Sequence, residues 1–175
     1  MFSLSNIIAY GGQMVQGKKS SLIKDSVLED SRWYDVQGLG LIRKHTYEEE
    51  LCLFEELLSG FETIDEDIFV ITPFVDVKEE LQKAIYPKYN KKVQVGTIHT
   101  FQGKEAKVVF LVLGGNRNNL RALEWASSSP NILNTAITRA KDYLYVIGNR
   151  QVWKDYGYFS YLHKAFDEKG IFIGV

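Results

Sequence analysis

Gly96-Thr97-Ile98-His99-Thr100-Phe101-Gln102-Gly103-Lys104-Glu105-Ala106-Lys107 runs without a break into Val108-Val109-Phe110-Leu111-Val112-Leu113-Gly114. A strand-like segment over residues 93–97 enters a polar elbow, and the chain leaves the elbow as a continuous apolar run. Rich in β-branched residues and closed by Gly114-Gly115, that run predicts a strand covered on both faces, as in a parallel sheet flanked by helices. Ligands of open parallel sheets sit outside the carboxyl ends of strands, so polar groups gathered at a strand's exit suggest a site. The plain alternative is a turn of solvated polar residues.

A second stretch favours the site. Ser129-Pro130-Asn131-Ile132-Leu133-Asn134-Thr135-Ala136-Ile137-Thr138-Arg139-Ala140-Lys141 opens like a helix, with Ser129 as N-cap and Pro130 at the first helical position. Ile132, Leu133, Ala136, Ile137 and Ala140 form one apolar stripe at helical spacing. Arg139 is therefore carried at the end of a short helix with one buried side, and residues 143–147 follow as another apolar strand closed by Gly148.

Residues 97–105 resemble motif V, and residues 133–141 motif VI, of superfamily 1 helicases. The likeness is strongest to the branch that holds the nonsense-decay RNA helicase and its bacterial DNA-helicase-like cousins. Ile68-Phe69-Val70-Ile71-Thr72-Pro73-Phe74 is similar to motif IV of that branch, and Ser5-Asn6-Ile7-Ile8-Ala9-Tyr10 extends the likeness over most of the chain. Phe-Gln-Gly-x-Glu followed by Asn-x-Ala-x-Thr-Arg-Ala is specific as a pair, whereas neither half alone would be.

Composition bounds the rest. A chain of 175 residues makes one well-formed domain and is too short for two of ordinary size. With 45% hydrophobic and 13% aromatic residues it has the material for a packed core. Its net charge of -1 means that any contact with nucleic acid comes from a local patch. Cys52 is the one cysteine, which excludes an internal disulfide and suits a reducing cytoplasm; among Leu51, Leu53, Phe54, Leu57 and Leu58 it reads as a buried structural thiol. No apolar stretch approaches the ~20 residues of a membrane span, and the start lacks a signal-peptide pattern.

Along the chain, Gly12-Gln13-Met14-Val15-Gln16-Gly17-Lys18 has the spacing of a P-loop, but Lys19 stands where the magnesium-binding Ser or Thr belongs. No apolar strand ends in Asp-Glu, and Asp65-Glu66-Asp67 reads as a turn. Residues 33–36 and 39–42 are strand-like pieces around Gly38. Thr46-Tyr47-Glu48-Glu49 predicts a capping box opening a helix through Leu58, with Glu48, Glu49, Glu50, Glu55 and Glu56 as its solvated face. A strand over 68–72 and a helix over 75–85 follow. The alternation predicts a parallel α/β sheet with right-handed crossovers. The elbow over 98–106 is short for a crossover between parallel strands, which leaves the pairing of its two strands open. Tyr86-Pro87-Lys88-Tyr89-Asn90-Lys91-Lys92 is a basic loop with tyrosines, so Lys91 and Lys92 are candidates to track a nucleic-acid backbone; a solvated loop is the other reading. Residues 116–129, with Trp125, read as a surface excursion. A closing helix is expected over 158–166, and His45 and His163 as surface histidines.

The resemblance implies a RecA-like domain of the P-loop NTPase class, a three-layer parallel sheet with helices on both faces, occupying residues 1–175 as the second motor domain of a longer chain. Its N-terminal partner domain would hold the Walker motifs, ATP and Mg2+. Arg139 is then the arginine finger, with Glu105 as the second catalytic residue beside the nucleotide; Gly103 and Gln102 bind ATP, and Lys78 stands where relatives carry a second arginine. Thr97, His99 and Thr72 approach the nucleic-acid backbone, with single-stranded DNA preferred to RNA. The competing expectation is a non-catalytic nucleic-acid-binding or scaffold domain that kept the fold.

Overall fold

Val108, Val109, Phe110, Leu111 and Val112 are all inaccessible to solvent because this strand lies inside a sheet with neighbours on each side. The computed structural model of the protein describes residues 31–61, 67–86, 92–101, 103–168 and 172–174, without the side chains of Ile98, His99 and Phe172. Six strands, β1 (Arg32–Asp35), β2 (Ile68–Ile71), β3 (Val93–Gly96), β4 (Ala106–Val112), β5 (Ala140–Gly148) and β6 (Phe172–Gly174), form one sheet in the order β3-β2-β4-β5-β1-β6. Every pairing is parallel. The helices are α1 (Glu48–Ser59), α2 (Val75–Ile85), α3 (Leu120–Ser127), α4 (Asn131–Arg139), α5 (Arg150–Trp153) and α6 (Phe159–Glu168), with a 3-10 turn over Ile98–Phe101.

Right-handed crossovers put α1 and α2 on one face, since both lead the chain toward β3, and the 3-10 turn and α3 to α6 on the other. The expected three-layer RecA-like α/β architecture is what the chain adopts. The question left open at the elbow is also answered: β3 and β4 do not pair, because β2 lies between them. Gly96 is level with Ile71 and Ile71 with Leu111, so the chain must fall back five residues, roughly 16 Å at ~3.3 Å each, to reach Ala106. Residues 97–105, able to span roughly 30 Å when extended, make that descent across β2. Phe101 fixes their path by packing on Phe69, with ring centroids 4.6 Å apart.

Strand exits need backbone partners, and side chains supply them. Gly114 N–H donates to Glu50 Oε2 at 2.9 Å, Gly115 N–H to the His45 carbonyl at 2.9 Å, and Trp153 Nε1 to the Gly114 carbonyl at 3.0 Å. Gly114 has φ +57°, and a Cβ there would press on the His45 carbonyl, so only glycine fits. On the other side of the sheet centre, Trp33 Nε1 donates to the Gly148 carbonyl at 3.0 Å.

These contacts correct several expectations. There is no capping box: α1 begins at Glu48 with Tyr47 as N-cap, while Thr46 Oγ1 donates to Asp76 and Glu49 accepts from the Leu39 and Gly40 N–H groups. Glu50 does not belong to a solvated face; it is 1% exposed. Cys52 falls outside the buried stripe of Glu50, Leu53, Phe54 and Leu58 and is exposed. Residues 39–42 form no strand, only a bridge from Leu41 to Tyr47. Helix α4 begins one residue late, with Pro130 as its N-cap, although Ser129 Oγ still accepts from the Asn131 N–H. His45 is buried and stacks on Phe74 at 4.1 Å, and His163 accepts from Arg150 Nε at 2.7 Å. Burial holds the pKa of both histidines down. The opening segment, the P-loop-like match at 12–18, Asp65 and Glu66 lie outside the described residues.

Burial raises the Glu50 pKa from 4.5 to about 8, against the lowering effect of the Gly114 hydrogen bond. Its stabilising contribution is therefore complete below about pH 4.5 and is lost as pH rises toward about 8, because the unfolded chain releases the proton first. Glu50→Gln should abolish this dependence. Urea unfolding at pH 5 and pH 8 should show wild type losing on the order of 3–4 kcal/mol more than the variant; equal losses would mean that Glu50 is ionised in the fold.

Candidate functional site

Ala106 pairs with Ala140, so Glu105 and Arg139, each the residue before its strand, are neighbours at the amino edge of the sheet. Arg139 ends α4, whose buried Ile132, Leu133, Ala136 and Ile137 press the helix onto the sheet and direct its last turn to this edge. Its Nη1 donates to the Lys104 carbonyl at 3.1 Å. Nε and Nη2 donate to Thr138 Oγ1 at 3.3 and 3.2 Å, and that hydroxyl donates onward to the Asn134 carbonyl at 2.8 Å. Among the described residues these acceptors are all neutral, so the guanidinium is oriented without being neutralised by a carboxylate.

Glu105 is exposed and lies 3.7 Å from Lys141 Nζ, a contact that solvent screening leaves weak. Glu105, Asp67, Lys107, Lys141 and Asp142 line a cavity of ≈ 250 Å³. Gly103 has φ +77° and open space where a side chain would stand, so the backbone there is accessible and needs glycine. Among the described residues no cluster of His, Cys, Asp and Glu could hold a metal ion.

The other predicted residues divide by edge. Thr72 and Thr97 follow β2 and β3, at the carboxyl edge, where both line a cavity of ≈ 400 Å³. Thr97 is half-buried; Thr72 is fully buried, with its hydroxyl accepting from the Phe74 N–H at 3.4 Å. Lys78 lies in the first turn of α2, also at the carboxyl edge, so the structure does not bring it to Arg139 and Glu105. Lys92 is exposed and precedes β3, at the amino edge and apart from Thr72 and Thr97. His99 is in the 3-10 turn with its side chain undescribed, and Gln102 and Lys91 lie outside the described residues.

The polar elbow suggests a site at a strand's exit; Thr72 and Thr97 do stand at exits, whereas Glu105 and Arg139 stand at strand entrances, because the elbow runs from one edge to the other. Reasoning also missed the Lys104 carbonyl and Trp125. The carbonyl leaves no trace in side-chain identity. Trp125 did leave one: it falls off the buried stripe of Leu123, Ala126 and Ser127, so α3 has to present it outward, and it is 63% exposed.

Fold and site together define a RecA-like α/β domain with Arg139 and Glu105 on adjacent strands at one sheet edge. The chain belongs to the AAA domain family, which it matches over residues 4–151, and the resemblance to superfamily 1 helicase C-terminal domains holds at the level of family and fold. It is 31% identical over 110 residues to helicase sen1 of Schizosaccharomyces pombe, covering 58% of this chain and 6% of that protein. It is 28% identical over 133 residues to the DNA polymerase alpha-associated DNA helicase A of Saccharomyces cerevisiae, covering 69% of this chain and 19% of the relative. The chain thus spans a small part of these curated relatives. Its fold is similar to the C-terminal domain of a possible DNA helicase from Lactobacillus plantarum WCFS1, with TM-score 0.52, 14% identity, and 85% and 83% of the two chains covered. Among the described residues no helix is long and apolar enough to cross a membrane.

The elbow's start is tightly packed: a Cβ on Gly96 would overlap the Thr100 side chain. Gly96→Ala should lower stability by about 1–3 kcal/mol, read from the urea midpoint. Adding Thr100→Gly should restore part of the loss caused by Gly96→Ala; no recovery would show that the overlap is not its cause.

Proposed function

We propose that this chain is the second motor domain of an ATP-dependent nucleic-acid helicase, with Arg139 as the arginine finger. The adjacency of Arg139 and Glu105, fixed by the register of β4 and β5, is the observation that carries this reading. Phosphoryl transfer from ATP to water needs cradled phosphates, Mg2+, a positioned water and cations against the charge developing on the γ-phosphate. The phosphate cradle and the magnesium ligands belong to a preceding domain of the same protein. When that domain closes on this amino edge, the Arg139 fork meets the γ-phosphate, and such fingers are worth ~10³–10⁵ in rate. Glu105 stands beside the nucleotide, and the open backbone at Gly103 lets it approach.

Nucleic acid takes the opposite edge, where Thr97 follows β3. The segment of residues 97–105 has one end at each edge, so a shift forced by nucleotide closure is felt at the strand, as differential affinity between two states requires. His99 and Gln102 fall within this connection. Single-stranded DNA is the favoured substrate over RNA, because one similar protein is described as a DNA helicase. The lone thiol of Cys52 suits a cytoplasmic setting.

In the protein with both motor domains, Arg139→Ala should lower kcat at least about a hundredfold while nucleotide affinity changes within a few-fold, since a finger acts in the transition state. Arg139→Lys should recover little, a point charge being no substitute for a planar fork. Steady-state ATPase assays together with nucleotide binding decide it. Near-normal turnover would reduce Arg139 to the end of a helix, and the 175-residue chain alone should hydrolyse no ATP.

A further inference from the structure

The cavity of ≈ 400 Å³ at the carboxyl edge is lined by Thr72, Pro73, Thr97, Trp125, Ser129 and Asn131, among others, and none of its lining residues carries a charge. Trp125 forms one wall and stands 63% exposed, whereas the molecule's other two tryptophans are fully buried with their indole N–H groups bonded to glycine carbonyls. An exposed indole beside hydroxyl and amide side chains, in a concavity without ions, is poorly suited to a phosphate. It matches an uncharged heteroaromatic ring: a planar face to stack on, polar groups for the ring edge, and room for one base within the usual range of ligand pockets. The neighbouring concavity on the other flank of Trp125 differs in being lined by charges of both signs, Arg43 and Lys44 with Asp76 and Glu79.

We infer that Trp125 and this cavity take up one unpaired nucleobase of a single strand that runs along the carboxyl edge. This rests on the reading that nucleic acid passes Thr97. The base belongs to the strand and not to ATP, because a nucleotide held at Glu105 and Arg139 is separated from the cavity by the length of β4 from Ala106 to Leu111, roughly 16 Å. Thr72, fully buried, forms part of the cavity floor, and Thr97 lies where the sugar-phosphate chain enters. Trp125 is thus a base platform, and stacking of this kind is tolerant of sequence.

Intrinsic tryptophan fluorescence of the full 175-residue chain tests this, because Trp125 is the one tryptophan that a ligand reaches. Titration with a dT 12-mer should quench emission, and a 12-mer of abasic deoxyribose phosphate should not. Measured by anisotropy of labelled strands, Trp125→Ala should bind the dT 12-mer about tenfold or more weakly than wild type and bind the abasic strand unchanged. Trp125→Phe, which keeps an aromatic face, should stay within a few-fold of wild type. Salt-sensitive binding of both strands without quenching, or equal affinity of wild type and Trp125→Ala, would overturn the base cavity while leaving the helicase reading intact. Quenching by AMP at the same base concentration would show that a mononucleotide is the ligand and overturn the assignment to a strand. No binding of either strand by wild type would overturn both.

Discussion

The contact of Phe101 with Phe69 decides the course of the segment on which the proposed chemistry depends. A parallel sheet sends every strand the same way, so each connection has to return from the carboxyl to the amino edge. Most connections here do so through a helix. The β3 to β4 connection has only residues 97–105 for the task, and burying one aromatic ring midway ties those residues to the face of β2. A looser loop could wander, and its two ends would then move independently. Held at Phe101, the segment has a fixed middle, with Thr97 at one edge and Glu105 at the other.

The second requirement is satisfying polar backbone groups where strands stop. Glu50, His45, Trp33 and Trp153 all serve strand exits, and all except Trp33 gather around Gly114 and Gly115. A carboxyl this deeply buried is expensive when ionised, so Glu50 keeps its proton and acts as a neutral hydrogen-bonding group. The same economy explains His45, which is neutral and stacked against Phe74. Two residues that look like solvent-facing charges in the sequence are thus part of the interior.

The sheet was legible because the apolar runs 68–71 and 108–113 are continuous, and continuity without alternation means burial on both faces. Helices α2 and α4 were legible from apolar spacing, and Arg139 and Glu105 from the paired motifs. What escaped were long-range facts. Thr46 turns to Asp76 and Glu49 to the Leu39 and Gly40 backbone, so a local capping pattern lost to partners that no window of residues contains. The division of the site between two edges also followed from strand order, which places β2 between β3 and β4, and no spacing along the chain encodes that. Lys78 and Lys92 were grouped by motif and by charge, and the fold sets each at the edge opposite its expected companions.

Strand order has a further effect on how the molecule comes into being. Strand β1 pairs with β5 and β6, both near the far end of the sequence; Trp33 waits for Gly148, 115 residues on. A ribosome delivers β1 long before its neighbours exist, while β2, β3 and β4 can assemble among themselves. Loop-closure entropy makes such distant pairing slow, and until it occurs β1 is an unpaired, aggregation-prone edge. In the finished sheet β4 and β5 are the two central strands, so Glu105 and Arg139 at their entrances come together only when β5 joins β4.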